Sequence, residues 1–269
     1  MPRRFCAVFA IALVVAGCGS GQRDDSLRGI TSVLVERHGK IVEERYYQGT
    51  RASDRLPVFS ITKSVTSALV GIAIADGKLA LDERLPWRRQ VTVRELVSMT
   101  AGYAPALDFQ RADPQTLASR ALVNEPGTFS YDSGSYDLLA DLLERATGTP
   151  IAQYAQRRLF GPMGIRGIRW PGGRGASGLL LRPRDLLALG ELYLHDGKGI
   201  VPASWVRLST RRHSRLYGYG WWIQPHSYAA YGYLGQVLAV YPHRDEVVLV
   251  TSSREDAKPL QLVRRIAGE

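Results

Sequence analysis

A serine three residues ahead of a lysine, Ser60-Ile61-Thr62-Lys63, occurs once in the chain. On a helix this spacing sets the hydroxyl and the amine on one face, within reach of each other. A serine hydroxyl is a poor nucleophile until a neighbouring base takes its proton, and an amine kept neutral by desolvation is such a base. A lysine carried into apolar surroundings loses hydration and its pKa falls, while a serine at a helix start lies in the positive end of the helix field. The chemistry these residues suit is acyl transfer. A purely structural reading stays open beside it, with Ser60 capping the helix and Lys63 snorkelling to water. A second group, Gly127-Thr128-Phe129-Ser130-Tyr131-Asp132-Ser133, stands directly ahead of a helical pattern that opens at Tyr136, and a third, Tyr233-Leu234-Gly235-Gln236, leads into an apolar strand. Taken by itself, Tyr131 is either a second proton carrier or a core tyrosine beside a turn.

These groups need elements to hold them. Residues 30–47 read as a hairpin, alternating in hydrophobicity on both sides of a His38-Gly39 turn. Residues 60–75 are apolar on most of a helix circumference and stop at Asp76-Gly77, so they form a buried helix with Ser60 in its first turn. From 79 to about 194 the pattern is helical, over 93–99, 114–123, 136–147, 151–160 and 184–194, with Pro and Gly punctuation between. Strand patterns return at 219–223, 236–241 and 246–252, and a helix over 259–267 closes the chain. A lone hairpin is marginal, so the strands at the two ends must pair with each other. The expectation is a discontinuous α/β domain, residues 29–78 and 200–269, with a helical insertion over 79–199.

The order Ser-x-x-Lys, then Tyr-x-Ser, then a strand motif bearing x-x-Gly resembles the penicillin-recognising serine hydrolases. It is most similar to the class C beta-lactamase-related branch, with its D-alanyl-D-alanine carboxypeptidases, esterases and 6-aminohexanoate-dimer-type amidases. Further segments that resemble this branch are Thr92-Val93-Arg94-Glu95-Leu96-Val97-Ser98-Met99-Thr100-Ala101-Gly102, Glu125-Pro126-Gly127-Thr128-Phe129-Ser130-Tyr131, residues 178–186, and Tyr217-Gly218-Tyr219-Gly220-Trp221-Trp222. The resemblance implies an α+β fold, an antiparallel sheet flanked by helices with an inserted helical subdomain. It makes Ser60 the nucleophile, Lys63 its base and Tyr131 the second proton carrier, with backbone N–H groups of Ser60 and Gln236, the latter after Gly235, facing the oxyanion. Ser133 stands where the family often has Asn, and Tyr233 where a Lys or His opens the strand motif. An ester or amide substrate is implied, with a non-hydrolytic penicillin-binding-like sensor as the alternative reading. Trp221, Trp222, Tyr228, Tyr231 and Tyr233 read either as a wall over the site or as core.

Composition narrows the remaining classes. The 269 residues are 45% hydrophobic and 22% charged, which excludes disordered, collagen-like and coiled-coil chains. The net charge of +10 comes mostly from scattered Arg, without the basic stripe that a nucleic-acid partner needs. Both cysteines lie in the first eighteen residues, where Arg3 and Arg4 precede an apolar run ending in Val15-Ala16-Gly17-Cys18. That reads as a signal peptide over 1–17 and a lipobox, with a lipidated Cys18 and a polar tether over 18–28, or else as an uncleaved hydrophobic anchor; either puts the domain outside the cytoplasm on a membrane. No cofactor is expected, and the five His show no metal-ligand spacing, so no metal is expected either. A Gly-x-Ser-x-Gly elbow is absent, which argues against an α/β-hydrolase.

Overall fold

The computed structural model describes residues 27–85, 90–106 and 113–269. The signal segment, Cys18 and most of the tether lie outside the described residues. The chain opens with β1 (Ile30–Arg37) and β2 (Lys40–Tyr46), joined by a two-residue turn in which His38 and Gly39 both take positive φ, 50° and 69°. That turn matches the twist of the flanking strands and fixes the hairpin. A short β3 (Leu56–Pro57) follows, then a tight 3-10 turn, Phe59–Ile61, that runs straight into α1 (Thr62–Ala75). α1 is buried over nearly its whole length, as its uniformly apolar circumference predicts.

The middle of the chain holds α2 (Val93–Val97), α3 (Pro114–Ala118), α4 (Ser133–Thr147), α5 (Ile151–Ala155), β4 (Leu180–Leu181), α6 (Pro183–Leu194) and α7 (Ala203–Ser209). α2 starts on a full capping box, the Thr92 hydroxyl accepting from the Glu95 N–H while the Glu95 carboxylate accepts from the Thr92 N–H. The helix expected over 151–160 leaves α geometry after Ala155 and ends in a π turn, Gln156–Phe160. The chain closes with β5 (Trp222–Ile223), β6 (Tyr228–Gly232), β7 (Gln236–Tyr241), β8 (Glu246–Ser252) and α8 (Pro259–Ala267).

Six strands form one antiparallel sheet in the order β2-β1-β8-β7-β6-β5. The first strand pairs with the last, Val33 facing Val250 and Val35 facing Val248. The two ends of the sequence therefore build one sheet, and the α+β class read from the sequence is what the chain forms. One face packs Leu34, Leu238, Val240, Val247 and Leu249 into the large core with α1 and α6; the other packs Val33, Val237, Val248 and Val250 under α8.

Several element limits differ from the sequence reading. The strand expected over 219–223 shrinks to Trp222–Ile223, because Tyr219 and Trp221 point into the core from loop backbone rather than from a ladder. β6 and α7 carry too few residues of consistent period to be read from sequence alone. α6 lies on the sheet against β7, β8 and β1. Gly190 lets α6 approach this closely: a Cβ there would sit 2.5 Å from Val247 Cγ1 and 2.9 Å from Leu238 Cδ1. Gly190→Ala gains about 1 kcal/mol of helix propensity but overpacks a stiff β-branched neighbour at a cost of up to about 3 kcal/mol. A lowered urea midpoint is expected, and a raised one would mean that α6 does not seat on β7 and β8 as described.

Candidate active site

Ser60 sits in the 3-10 turn ahead of α1, directly after Phe59, a bulky residue with a φ of +48°. A non-glycine residue in the left-handed region is strained and persists where the surroundings fix it. Here the Val58 N–H donates to the Leu179 carbonyl at 3.0 Å, while the Ile61 N–H donates back to the Val58 carbonyl at 3.1 Å. α1 has no side-chain N-cap, so the capping role open to Ser60 from sequence is not used.

Lys63 does not reach water: it is 1% exposed, on the inward face of α1. Its ammonium group donates to Ser60 Oγ at 3.0 Å and to the Ala176 carbonyl at 3.1 Å. Burial drives its pKa from 10.5 down to about 7, opposed by the charges of Asp137 and Asp132 and aided by Arg174. Desolvation wins over two nearby carboxylates because each carboxylate is already committed to an arginine. Asp132 is bound by Arg120 at 2.6 and 2.9 Å, and Asp137 by Arg174 at 2.6 and 3.1 Å.

Tyr131 lies beside the same pair. Ser60 acts on its hydroxyl, and Lys63 Nζ stands 5.0 Å from its ring centroid. Burial raises the phenol pKa, so the hydroxyl keeps its proton at neutral pH. The ring stacks on Trp222, with centroids 5.9 Å apart and planes 19° apart. Asp132, next in sequence, is the N-cap of α4, accepting from the Gly134 and Ser135 N–H groups as well as from the Ala106 N–H. One carboxylate thus ties the start of α4 to the loop before it, and this fixes the backbone that carries Tyr131. Ser133 is the buried first residue of α4.

The third group turns the corner from β6 to β7. Leu234 and Gly235 both take positive φ, 60° and 88°, in a turn that returns the chain to the sheet at Gln236. Gln236 pairs with Gly232 across the ladder, and a Cβ at Gly232 would sit 2.5 Å from the Val58 carbonyl. The start of β7 is therefore held against the turn that carries Ser60. The Gln236 side chain donates to the Ser252 carbonyl at 2.6 Å, locking β7 to the end of β8. Tyr233 is 46% exposed, packs edge-on against Phe59 at 5.6 Å and donates its hydroxyl to Glu255.

The aromatic stripe divides in two. Trp221 and Tyr228 are buried and pack together in the core beside Tyr193, whereas Trp222 and Tyr233 flank the Ser60 pocket. The sequence reading missed Asp137, Arg174 and Ala176. Asp137 Oδ1 accepts the Ala176 N–H at 3.0 Å, so the ion pair holds in place the peptide whose carbonyl receives Lys63. No local pattern marks these residues, since Ala176 is 113 positions from Lys63.

The model of the Beta-lactamase family matches residues 22–174. PbpX of Bacillus subtilis (strain 168), a protein named for penicillin binding, is 22% identical over 249 residues, covering 75% of this chain and 64% of PbpX. A D-aminopeptidase of Brucella anthropi is 29% identical over 133 residues, covering 42% of this chain and 25% of that enzyme. The chain spans less than two thirds of the length of these curated relatives. Among solved structures, the octameric penicillin-binding protein homologue from Pyrococcus abyssi superposes with a TM-score of 0.78 at 18% identity, over 91% of this chain and 76% of that one, which shows a common fold. The resemblance read from the motifs holds at the level of the family: with more than half of its length matched, this chain belongs to the beta-lactamase family.

Proposed function

We propose that this chain is a serine hydrolase that cleaves an ester or amide through an acyl-enzyme on Ser60. The observation that carries this reading is the buried lysine, an amine 3.0 Å from Ser60 Oγ whose pKa is pushed down to about 7. The two titratable partners of Ser60 are driven in opposite directions, Lys63 down and Tyr131 up. That separation assigns the roles: neutral Lys63 is the base and protonated Tyr131 the acid. Ser60 Oγ attacks the carbonyl carbon as its proton passes to Lys63, and the oxyanion faces the backbone N–H groups of Ser60 and Gln236. The intermediate collapses, and the departing alcohol or amine takes the Tyr131 proton, which the Lys63 ammonium restores. Water then attacks the ester on Ser60, giving up a proton to the same pair, which returns it to Ser60 Oγ as the acyl–oxygen bond breaks and the acid is released.

The preferred substrate is an ester or an uncharged amide rather than one with a carboxylate beside the scissile bond. Tyr233 offers a neutral hydroxyl where relatives place a cation, and that hydroxyl is turned to the acidic Glu255. Arg254, a candidate cation beyond β8, is bound to Asp256 at 2.7 and 3.0 Å, and His226 lies in a cavity on the α8 face of the sheet with Tyr231 and Arg264. The same proposal places the domain outside the cytoplasm, anchored to a membrane by a lipid on Cys18.

Ser60→Ala is expected to remove all labelling by a fluorophosphonate and to lower turnover by roughly a million-fold, while the circular dichroism spectrum stays unchanged. Labelling of Ser60 with no turnover of any ester or amide would favour the sensor reading instead. Because the base form of Lys63 exists above its pKa, kcat/KM for an ester should fall about tenfold per pH unit below about 7 and level off above it. A profile flat from pH 5 to 9 would remove Lys63 as the base.

For the substrate, the readout is kcat/KM for a p-nitrophenyl ester relative to a chromogenic cephalosporin. Wild type should favour the ester, and Tyr233→Lys should move the ratio toward the cephalosporin by roughly ten- to a hundred-fold, the worth of one charge-assisted hydrogen bond. Cys18→Ser should move the protein from the membrane to the soluble fraction and leave the activity of the purified protein unchanged; retention in the membrane would exclude the lipid anchor.

A further inference from the structure

At the far end of the sheet from Ser60, three side chains converge, one of them remote in sequence from the other two, which lie one helical turn apart. They are Glu36 on β1, Glu191 on α6 and His195 just after α6, with a possible ligand atom of each within 4.8 Å of the others. The distance from the active site follows from the register. Glu36 faces Val247 near the start of β8, whereas Gln236 is held to Ser252 at the end of that strand.

Glu36 gives the cluster its meaning. The residue is 6% exposed, and its Oε1 is buried with no hydrogen-bond partner. A carboxylate oxygen in that position gives up its hydration and receives no donor in return, an arrangement that calls for an explanation. Its immediate neighbours add negative charge rather than donors: Glu191 directly, and Asp245, whose Oδ1 lies 3.9 Å from His195 Nε2. The cation close by is Lys198, at an exposed turn, and its ammonium is spent on Glu191 Oε1 at 2.5 Å. From these positions we propose that Glu36, Glu191 and His195 form a binding site for a divalent transition-metal ion.

Two carboxylates and one imidazole with no thiol suit zinc or manganese, and the imidazole disfavours magnesium and calcium. Ligand atoms around zinc stand about 3–3.5 Å apart, so the cluster has to close by roughly an ångström. Glu36 is fixed by the strand, but Glu191 is half-buried and His195 exposed, and both lie at the free end of α6, where side-chain rotation closes the gap. Lys198 gives up Glu191 as the ion arrives and turns to solvent. The bound ion would clamp β1 to the end of α6. It is a structural site, remote from the acyl chemistry.

The test uses the full chain, stripped with a chelator and titrated with zinc by calorimetry, in wild type, His195→Ala and Glu36→Gln. Wild type is expected to bind one zinc ion saturably and to melt at a higher temperature in its presence. Each variant should bind at least about tenfold more weakly and lose the thermal shift. If wild type takes up no zinc, the proposal fails and Glu36 is a neutral, protonated acid. If both variants bind as wild type does, zinc is held elsewhere and the proposal fails equally. Should Glu36→Gln not fold, His195→Ala decides, because His195 lies at the surface beyond the end of α6. Labelling of Ser60 is expected to stay unchanged in His195→Ala, which keeps this result separate from the fate of the hydrolase assignment.

Discussion

A lysine held in the core without water is the constraint around which the rest is arranged. A buried ammonium group is costly unless it is paired or gives up its proton, and here it does neither fully. Lys63 reaches only a serine hydroxyl and a backbone carbonyl, and its nearest carboxylates are neutralised by arginines before they can capture it. Asp137 and Asp132 still favour the charged amine, but less than burial disfavours it. The Arg120–Asp132 and Arg174–Asp137 pairs therefore serve two ends. They satisfy charges buried at the start of α4, and they leave the amine poised near neutrality.

The sheet supplies the second requirement, a rigid edge facing that amine. β1 and β8 join the two ends of the sequence, β7 lies beside β8, and the Gln236 side chain ties the mouth of the site to the end of β8. Because α1 and α6 pack on the same face of the sheet, Ser60 and the start of β7 are set by one continuous core rather than by loops. The strained Phe59 backbone fits this arrangement, since a left-handed residue persists where the surroundings over-determine it.

Much of this was legible in the sequence because it is written in short spacings. The Ser60–Lys63 pair is three residues apart, α1 and α8 are single periodic runs, and the His38-Gly39 turn sits between two alternating strands. Even the closure of the sheet followed from a general rule, that neither terminal set of strands is stable alone. Boundaries were less legible where tertiary packing overrode local pattern. Tyr219 and Trp221 look like strand residues yet serve the core from a loop, and the 151–160 helix gives way to a π turn.

What the sequence by itself determined is the class of fold, and it singled out Ser60, Lys63 and Tyr131 as the candidate site through one local spacing and the order of three motifs. Which state the amine occupies was decided only by the tertiary structure. Burial, the Ala176 carbonyl and the two arginine-bound carboxylates come from four separate stretches of chain. The same holds for Glu36, which only the packing of α6 on β1 brings to Glu191 and His195. The physical reason is common to both: a pKa or a ligand cluster depends on distances through space and on lost water, and neither quantity is encoded by nearness along the chain.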